Sequence, residues 1–226
     1  MELKGKTLLF LGDSITAGSG VSGKEETYWY RLGQKTGASC IGYGVGGTRI
    51  AEQQQPDGFE TLGNFCTRAQ QMQKTADAII VFGGTNDYGH GDAPLGTPQD
   101  RTPKTFYGAL HTLILYLLNA YPTAQIVFLT PLHRVGETDR LYNERGMRLS
   151  GNLQTYVDII LAVCGEYGLP VLDLFRTSGL QPNVPIIKEK FVPDGLHPNA
   201  AGHRRLAELA RAGVLLAPLD SRGEWY

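Results

Sequence analysis

The chain has 226 residues, 42% of them hydrophobic and 19% charged, with a formal net charge of −1. That is ordinary globular composition, long enough to bury a large core without disulfides or a structural metal. So even a charge balance gives no electrostatic case for nucleic acid or an anionic membrane surface as a partner.

The three cysteines, Cys40, Cys66 and Cys164, are odd in number and widely spaced, with no CxxC or zinc-type pattern. They read as free thiols in a reducing compartment, and Cys164 as core packing. No apolar run approaches the roughly 18 residues of a membrane span. The N-terminus lacks the apolar region and cleavage site of a signal peptide, so a cytoplasmic protein is expected.

In chain order, the run Leu8 to Leu11 within residues 6–11 predicts a buried strand that stops on Gly12. Residues 15–24 read as a loop, and a helix is expected from Glu25 to Lys35, stopped by Gly37. A short strand over 38–43 leads into a glycine cluster, Gly42 to Gly47. Residues 50–75 are polar, with a helix in their second half. Residues 77–83 form the clearest buried strand, and 88–103 a long loop rich in glycine and proline. Thr102-Pro103 looks like a cap and first helical residue. The helix it opens carries Phe106, Leu110, Leu113, Ile114 and Leu117 at the 3.6-residue period and ends at Tyr121-Pro122. A strand over 124–130 follows, then an irregular charged stretch, 133–147. Leu149, Leu153, Val157, Ile160, Leu161 and Cys164 mark a long amphipathic helix. Val171-Leu172 is a short strand, 173–193 is mixed, and a terminal helix runs to about Ala212.

Strands alternating with helices predict a parallel sheet covered on both faces, in a single domain spanning 1–226. Reactive groups in such a sheet gather beyond the carboxyl ends of its strands. Three strand ends carry suitable clusters: Gly12-Asp13-Ser14, Gly44-Val45-Gly46-Gly47 and Gly83-Gly84-Thr85-Asn86-Asp87. A fourth, Asp194-Gly195-Leu196-His197, returns late in the chain.

These clusters hold the parts needed for acyl transfer. Ser14 is the candidate nucleophile, and a serine hydroxyl needs an adjacent base. His197 is that base. Asp194, three residues earlier, can reach Nδ1 of His197 and hold its tautomer. The backbone N–H groups of Ser14 and Gly47 and the side-chain amide of Asn86 are candidate oxyanion donors; losing one such donor commonly costs about 3 kcal/mol. Tyr88, His90 and His133 are candidate substrate-binding residues at the loops, whereas Tyr28, Trp29 and Tyr30 read as helix packing. Asp13 and Asp87 read as braces within their turns.

The four blocks, in this order, resemble those of the SGNH hydrolases, the GDSL-type esterases and lipases. The resemblance covers most of the chain. It implies a three-layer α/β/α sandwich, flavodoxin-like, with about five parallel strands, and it assigns Ser14, Gly47, Asn86 and His197 the family's named roles, with Asp194 completing a triad. No cofactor or metal is implied. Many relatives have asparagine where this chain has Gly42, which puts the rigidity of that loop in question.

Other readings compete. Gly42-x-Gly44-x-x-Gly47 fits a dinucleotide fingerprint, but the first strand does not carry it and no clear helix follows. Asp194, His197 and His203 could be metal ligands, yet no further acidic or histidine cluster lies nearby. The expected partner is a small-molecule ester. The polar loops 88–103 and 133–147 favour a short acyl group, such as acetyl, on a polar molecule like an O-acetylated carbohydrate. A lysophospholipase- or thioesterase-type hydrolase and a non-catalytic binding protein on the same fold are the alternatives.

Overall fold

The computed structural model describes residues 2–216 except 56, 57, 59, 139, 147, 148 and 150. Its centre is one sheet of five parallel strands: β1 (Thr7–Gly12), β2 (Ser39–Gly44), β3 (Ala78–Phe82), β4 (Gln125–Leu129) and β5 (Val171–Leu172). They lie in the order β2-β1-β3-β4-β5. The order reverses direction between β1 and β3, the position where doubly wound sheets open a crevice.

The register puts Leu9 between Ile41 and Ile79, and Ile79 beside Ile126. Side chains alternate across the pleat, so one apolar run serves two cores. Leu9, Leu11, Ile79, Val81, Ile126 and Phe128 face one layer of helices; Leu8, Phe10, Ile80, Phe82, Val127 and Leu129 face the other. This is why β1, β3 and β4 are unbroken apolar runs. Each fully buried Leu, Ile, Val or Phe contributes about 1.5–3 kcal/mol.

The helices are α1 (Ser14–Ala17), α2 (Tyr28–Thr36), α3 (Phe65–Ala69), α4 (Thr85–His90), α5 (Phe106–Ala120), α6 (Leu153–Glu166), α7 (Leu174–Thr177), α8 (Pro185–Phe191) and α9 (Ala200–Leu216). Side chains of α3, α5 and α6 cover the first face, and those of α2 and α9 the second. The expected three-layer sandwich is therefore present. Cys66 and Cys164 are buried in it, and burial pushes both thiols up to about 12. Among the described residues, no helix is long and apolar enough to cross a membrane.

Several boundaries move. The expected loop 15–24 opens inside a helical turn, because Asp13 caps α1 by accepting from the Ile15 N–H at 3.0 Å. The next helix begins at Tyr28 rather than Glu25, since Lys24–Glu26 form a separate 3₁₀ turn. The loop expected from 88 starts only after His90. Thr105, not Thr102, caps α5 by accepting from the Gly108 N–H, and the Pro103 carbonyl instead accepts from Glu52 N. The Leu149 N–H is drawn to the Leu141 carbonyl, so α6 starts four residues later, behind its Asn152 cap. Residues 173–193 contain α7 and α8.

Candidate active site

The site forms beyond β1, β2 and β3. Gly12 and Gly44 are paired at the ends of β1 and β2. A Cβ at Gly44 would stand 2.1 Å from the backbone nitrogen of Ala17 and 2.4 Å from the carbonyl carbon of Thr16. Glycine there lets α1 sit directly on the end of β2. Ser14 is consequently the first residue of α1, on a turn backed by two strands. It is 8% exposed. A first helical residue has no intrahelical acceptor for its N–H.

The Ser14 Oγ lies 3.0 Å from Nε2 of His197. Nδ1 of His197 lies 2.7 Å from Oδ2 of Asp194. Oδ1 of Asp194 accepts the backbone N–H groups of Leu196 and His197 at 2.8 and 2.7 Å. Burial would raise this carboxyl, but those two N–H bonds and His197 outweigh it and hold it below the usual carboxylate range. An ionised carboxylate only accepts, so the Nδ1 proton belongs to His197 and its Nε2 lone pair faces Ser14. The backbone around the histidine is tightly backed. A Cβ on Gly20 would meet the Pro198 carbonyl, and the Val135 side chain fills the space a Cβ on Gly195 would need. Val135 N also donates to Gly195 O at 2.9 Å.

The glycine loop after β2 and the start of α4 approach the same place. Nδ2 of Asn86 donates one hydrogen to the Thr48 carbonyl at 3.1 Å, which leaves its second amide hydrogen for another acceptor. Gly47 has φ +75°. A Cβ on Gly46 would lie 3.8 Å from that of Ser14. Asp87 is buried and accepts from Ile50 N at 3.0 Å and Ala51 N at 2.9 Å, so it pins the chain just past the glycine loop. Desolvation pushes its carboxyl up to about 6. Both aspartates thus act as braces, as their positions in the turns suggested.

The three candidate substrate residues fare differently. Tyr88 is a correction: it is 1% exposed, its hydroxyl donates to the Gly136 carbonyl at 2.6 Å, and its ring packs edge-on against Tyr156. It is a core residue of α4. His90 lies at the end of α4 with Nδ1 3.2 Å from Nη1 of Arg49, and the same nitrogen donates to the Gly47 carbonyl at 2.8 Å. That places His90 beside the glycine loop. His133 follows β4, with Nδ1 2.8 Å from Glu137 and its ring 3.8 Å from that of Phe175. His203 is buried, and its Nδ1 accepts from Tyr28 N at 3.1 Å, so that nitrogen is taken by the fold. Among the described residues, no group of three His, Cys, Asp or Glu side chains is arranged to hold a metal ion.

Three contributors were not legible as functional in the sequence. Trp29 lies over Gly42, within 2.5 Å of where a Cβ would sit, and donates from Nε1 to the Thr16 carbonyl at 2.9 Å. The glycine that replaces the relatives' asparagine thus admits an indole that grips the Ser14 turn. Tyr28 shares a 3.0 Å hydrogen bond with the Thr16 hydroxyl. Arg68, on α3, reaches the carbonyls of Gly12 and Tyr43 and the hydroxyl of Thr48.

The GDSL-like lipase/acylhydrolase family model matches residues 10–205. Among solved structures, one chain is 33% identical with a TM-score of 0.82, the match covering 95% of this chain and 98% of that one. A protein from Lactobacillus plantarum is 31% identical with a TM-score of 0.80, covering 96% and 99%. An acetyl xylan esterase is 22% identical with a TM-score of 0.62, covering 92% and 99%, and shares the fold. Among curated proteins, none matches the chain. The breadth of the family match, over strands and helices that assemble around Ser14 and His197, makes this chain a member of the GDSL-like lipase/acylhydrolase family.

Proposed function

We propose that the chain is a serine-dependent carboxylic-ester hydrolase that works through an acyl-enzyme and releases a short acyl group, acetyl foremost, from a polar substrate such as an O-acetylated carbohydrate. The observation that carries the proposal is the continuous line from Ser14 Oγ through the His197 ring to Asp194, with links of 3.0 and 2.7 Å. A binding protein without catalysis has no use for that line.

In this reading Nε2 of His197 takes the Ser14 proton as Oγ attacks the ester carbonyl, and Asp194 stabilises the imidazolium. The oxyanion is received by the N–H groups of Ser14 and Gly47 and by the spare amide hydrogen of Asn86. Collapse breaks the bond to the alcohol oxygen, which leaves with the proton from His197. Water then attacks the acyl-enzyme, giving its proton to His197; Ser14 recovers that proton as the acid departs. The polar group at the glycine loop, His90 with Arg49, supports a hydroxyl-rich leaving group.

A second reading has its own support. Val135, packed on Gly195 two residues before His197, is 39% exposed. Apolar surface this near the His197 loop suits a longer acyl chain, as in a lysophospholipase or thioesterase.

A series of p-nitrophenyl esters from acetate upward, with acetylated sugars alongside, tests both readings on wild type and Ser14→Ala. The expected result is fastest turnover of the acetyl compounds and a loss of at least about 10³-fold on Ser14→Ala. Wild-type turnover by Ser14→Ala would sink the nucleophile, and a strong preference for long chains would select the second reading.

A further inference from the structure

We infer that Arg68 is a positioning residue that sets the geometry of the oxyanion hole. The inference rests on the reading of Ser14, Gly47 and Asn86 as oxyanion donors. Those three groups belong to three separate segments: the end of β1, the loop after β2 and the start of α4. Something must fix their separation, because oxyanion donors act only when preorganised.

Arg68 is the side chain that touches the supports of all three. Its Nη1 donates to the Gly12 carbonyl at 3.0 Å and to the Thr48 hydroxyl at 2.9 Å, and its Nη2 donates to the Tyr43 carbonyl. Gly12 lies two residues before Ser14. Its carbonyl also accepts from Val45 N at 3.1 Å, so one oxygen joins the serine strand to the glycine loop. Tyr43 and Thr48 flank that loop on both sides. Thr48 passes the restraint on: its hydroxyl donates to the Val45 carbonyl at 2.8 Å, and its own carbonyl accepts from Asn86 Nδ2. The path from Arg68 to each proposed donor is one or two hydrogen bonds long.

The chemistry explains why arginine occupies the position. A planar guanidinium offers five donors in a rigid fork and can hold three oxygens at fixed angles. Lysine has a point charge and a flexible stem. Arg68 is 6% exposed, and burial lowers its pKa to about 10, with nearby Asp13 opposing that shift. Keeping a charge this deeply buried is costly unless its partners are good, and here they are two carbonyls and a hydroxyl at the edge of the site. The Phe65 ring, 5.4 Å away, packs against it.

Arg68→Lys, Arg68→Met and Thr48→Val separate positioning from bulk stability. Each is assayed for kcat and KM on p-nitrophenyl acetate, and for inhibition by phenylboronic acid, which makes a tetrahedral adduct with the serine. The expected result for Arg68→Met is a fall in kcat of about 10²–10³-fold with KM within about threefold of wild type, and boronate affinity weakened alongside kcat/KM. Arg68→Lys falls between it and wild type. Thr48→Val removes one contact, leaves the arginine in place and loses about tenfold in kcat. Combined with Arg68→Lys it adds little, because the two act through the same bond.

Should Arg68→Met fail to fold, Arg68→Lys and Thr48→Val carry the test alone. Wild-type kcat in folded Arg68→Lys and Thr48→Val, or losses that simply multiply in the double variant, overturns the inference. Ser14→Ala in the same assay keeps the two questions apart. An inactive Ser14→Ala beside unimpaired Arg68 variants sinks only the positioning role, whereas an active Ser14→Ala sinks the hydrolase reading beneath it.

Discussion

Replacing Asp13 with asparagine should stabilise the protein at neutral pH while leaving it nearly unchanged in mild acid. Asp13 is 1% exposed, and desolvation pushes its carboxyl up from 3.8 to about 6. The Ile15 N–H bond, His197 and Arg68 pull the other way, and neighbouring Asp87 pushes it further up. The folded state therefore binds this proton about 2 pH units more tightly than the unfolded chain does. At about 1.4 kcal/mol per unit, the full swing is about 3 kcal/mol. A carboxyl raised in this way favours folding most below its unfolded pKa and loses that contribution as the pH climbs through about 6. Between pH 4 and pH 8 the loss in wild type comes to about 2 kcal/mol. Asp13→Asn carries no such proton, and its amide oxygen can still accept from Ile15 N–H, since asparagine caps helices as well as aspartate does. Urea denaturation at pH 4, 5, 6, 7 and 8 measures the difference between the two proteins, so that titrating groups not coupled to Asp13 cancel. The difference should move in favour of the variant by about 2 kcal/mol across that range, with most of the change complete by pH 6.5. A difference that stays flat with pH, or moves in favour of wild type, refutes the reasoning.

Two further predictions concern the same turn and its partner. Gly44→Ala places a methyl group on the backbone of Thr16 and Ala17; it should lower stability by about 1–3 kcal/mol and cut kcat sharply by displacing Ser14, both visible in a thermal melt and an ester assay. A variant with wild-type activity would mean that the seat of α1 on β2 is not needed. Asp194→Asn leaves His197 without an anionic partner at Nδ1 and should cost about 10²–10⁴-fold in kcat with little change in melting temperature, because Asp194 is largely exposed. A loss of less than about fivefold would mean that Asp194 does not serve His197.

How much of this was legible in the sequence depended on whether the relevant physics is local. β3 and β4 stood out because both faces are buried, and the order of the four blocks was enough to bring Ser14, Asn86 and His197 to one edge. The start of α5 was misplaced because Thr102-Pro103 and Thr105 are equally good local caps, and the choice between them is made by a contact from Glu52 to the Pro103 carbonyl. α8 was missed because it is only seven residues long and its apolar pair, Ile187 and Phe191, is too short a stripe to mark a helix. Tyr88 was drawn into the pocket by its neighbours Asn86 and Asp87, yet one helical turn is enough to point adjacent residues into opposite environments. Arg68 gave no signal, since its partners at 12, 43 and 48 are remote in sequence and two of them are backbone carbonyls, which any residue type supplies.

The indole of Trp29 has a practical consequence. The chain contains two tryptophans, Trp29 and Trp225. With Trp225 changed to phenylalanine, the remaining emitter would be hydrogen-bonded to the Thr16 carbonyl, two residues from the serine. Fluorescence at that one ring, or its single indole N–H resonance, then becomes an optical and magnetic record of the turn that holds Ser14. The protein carries its own probe at the place where its chemistry would be timed.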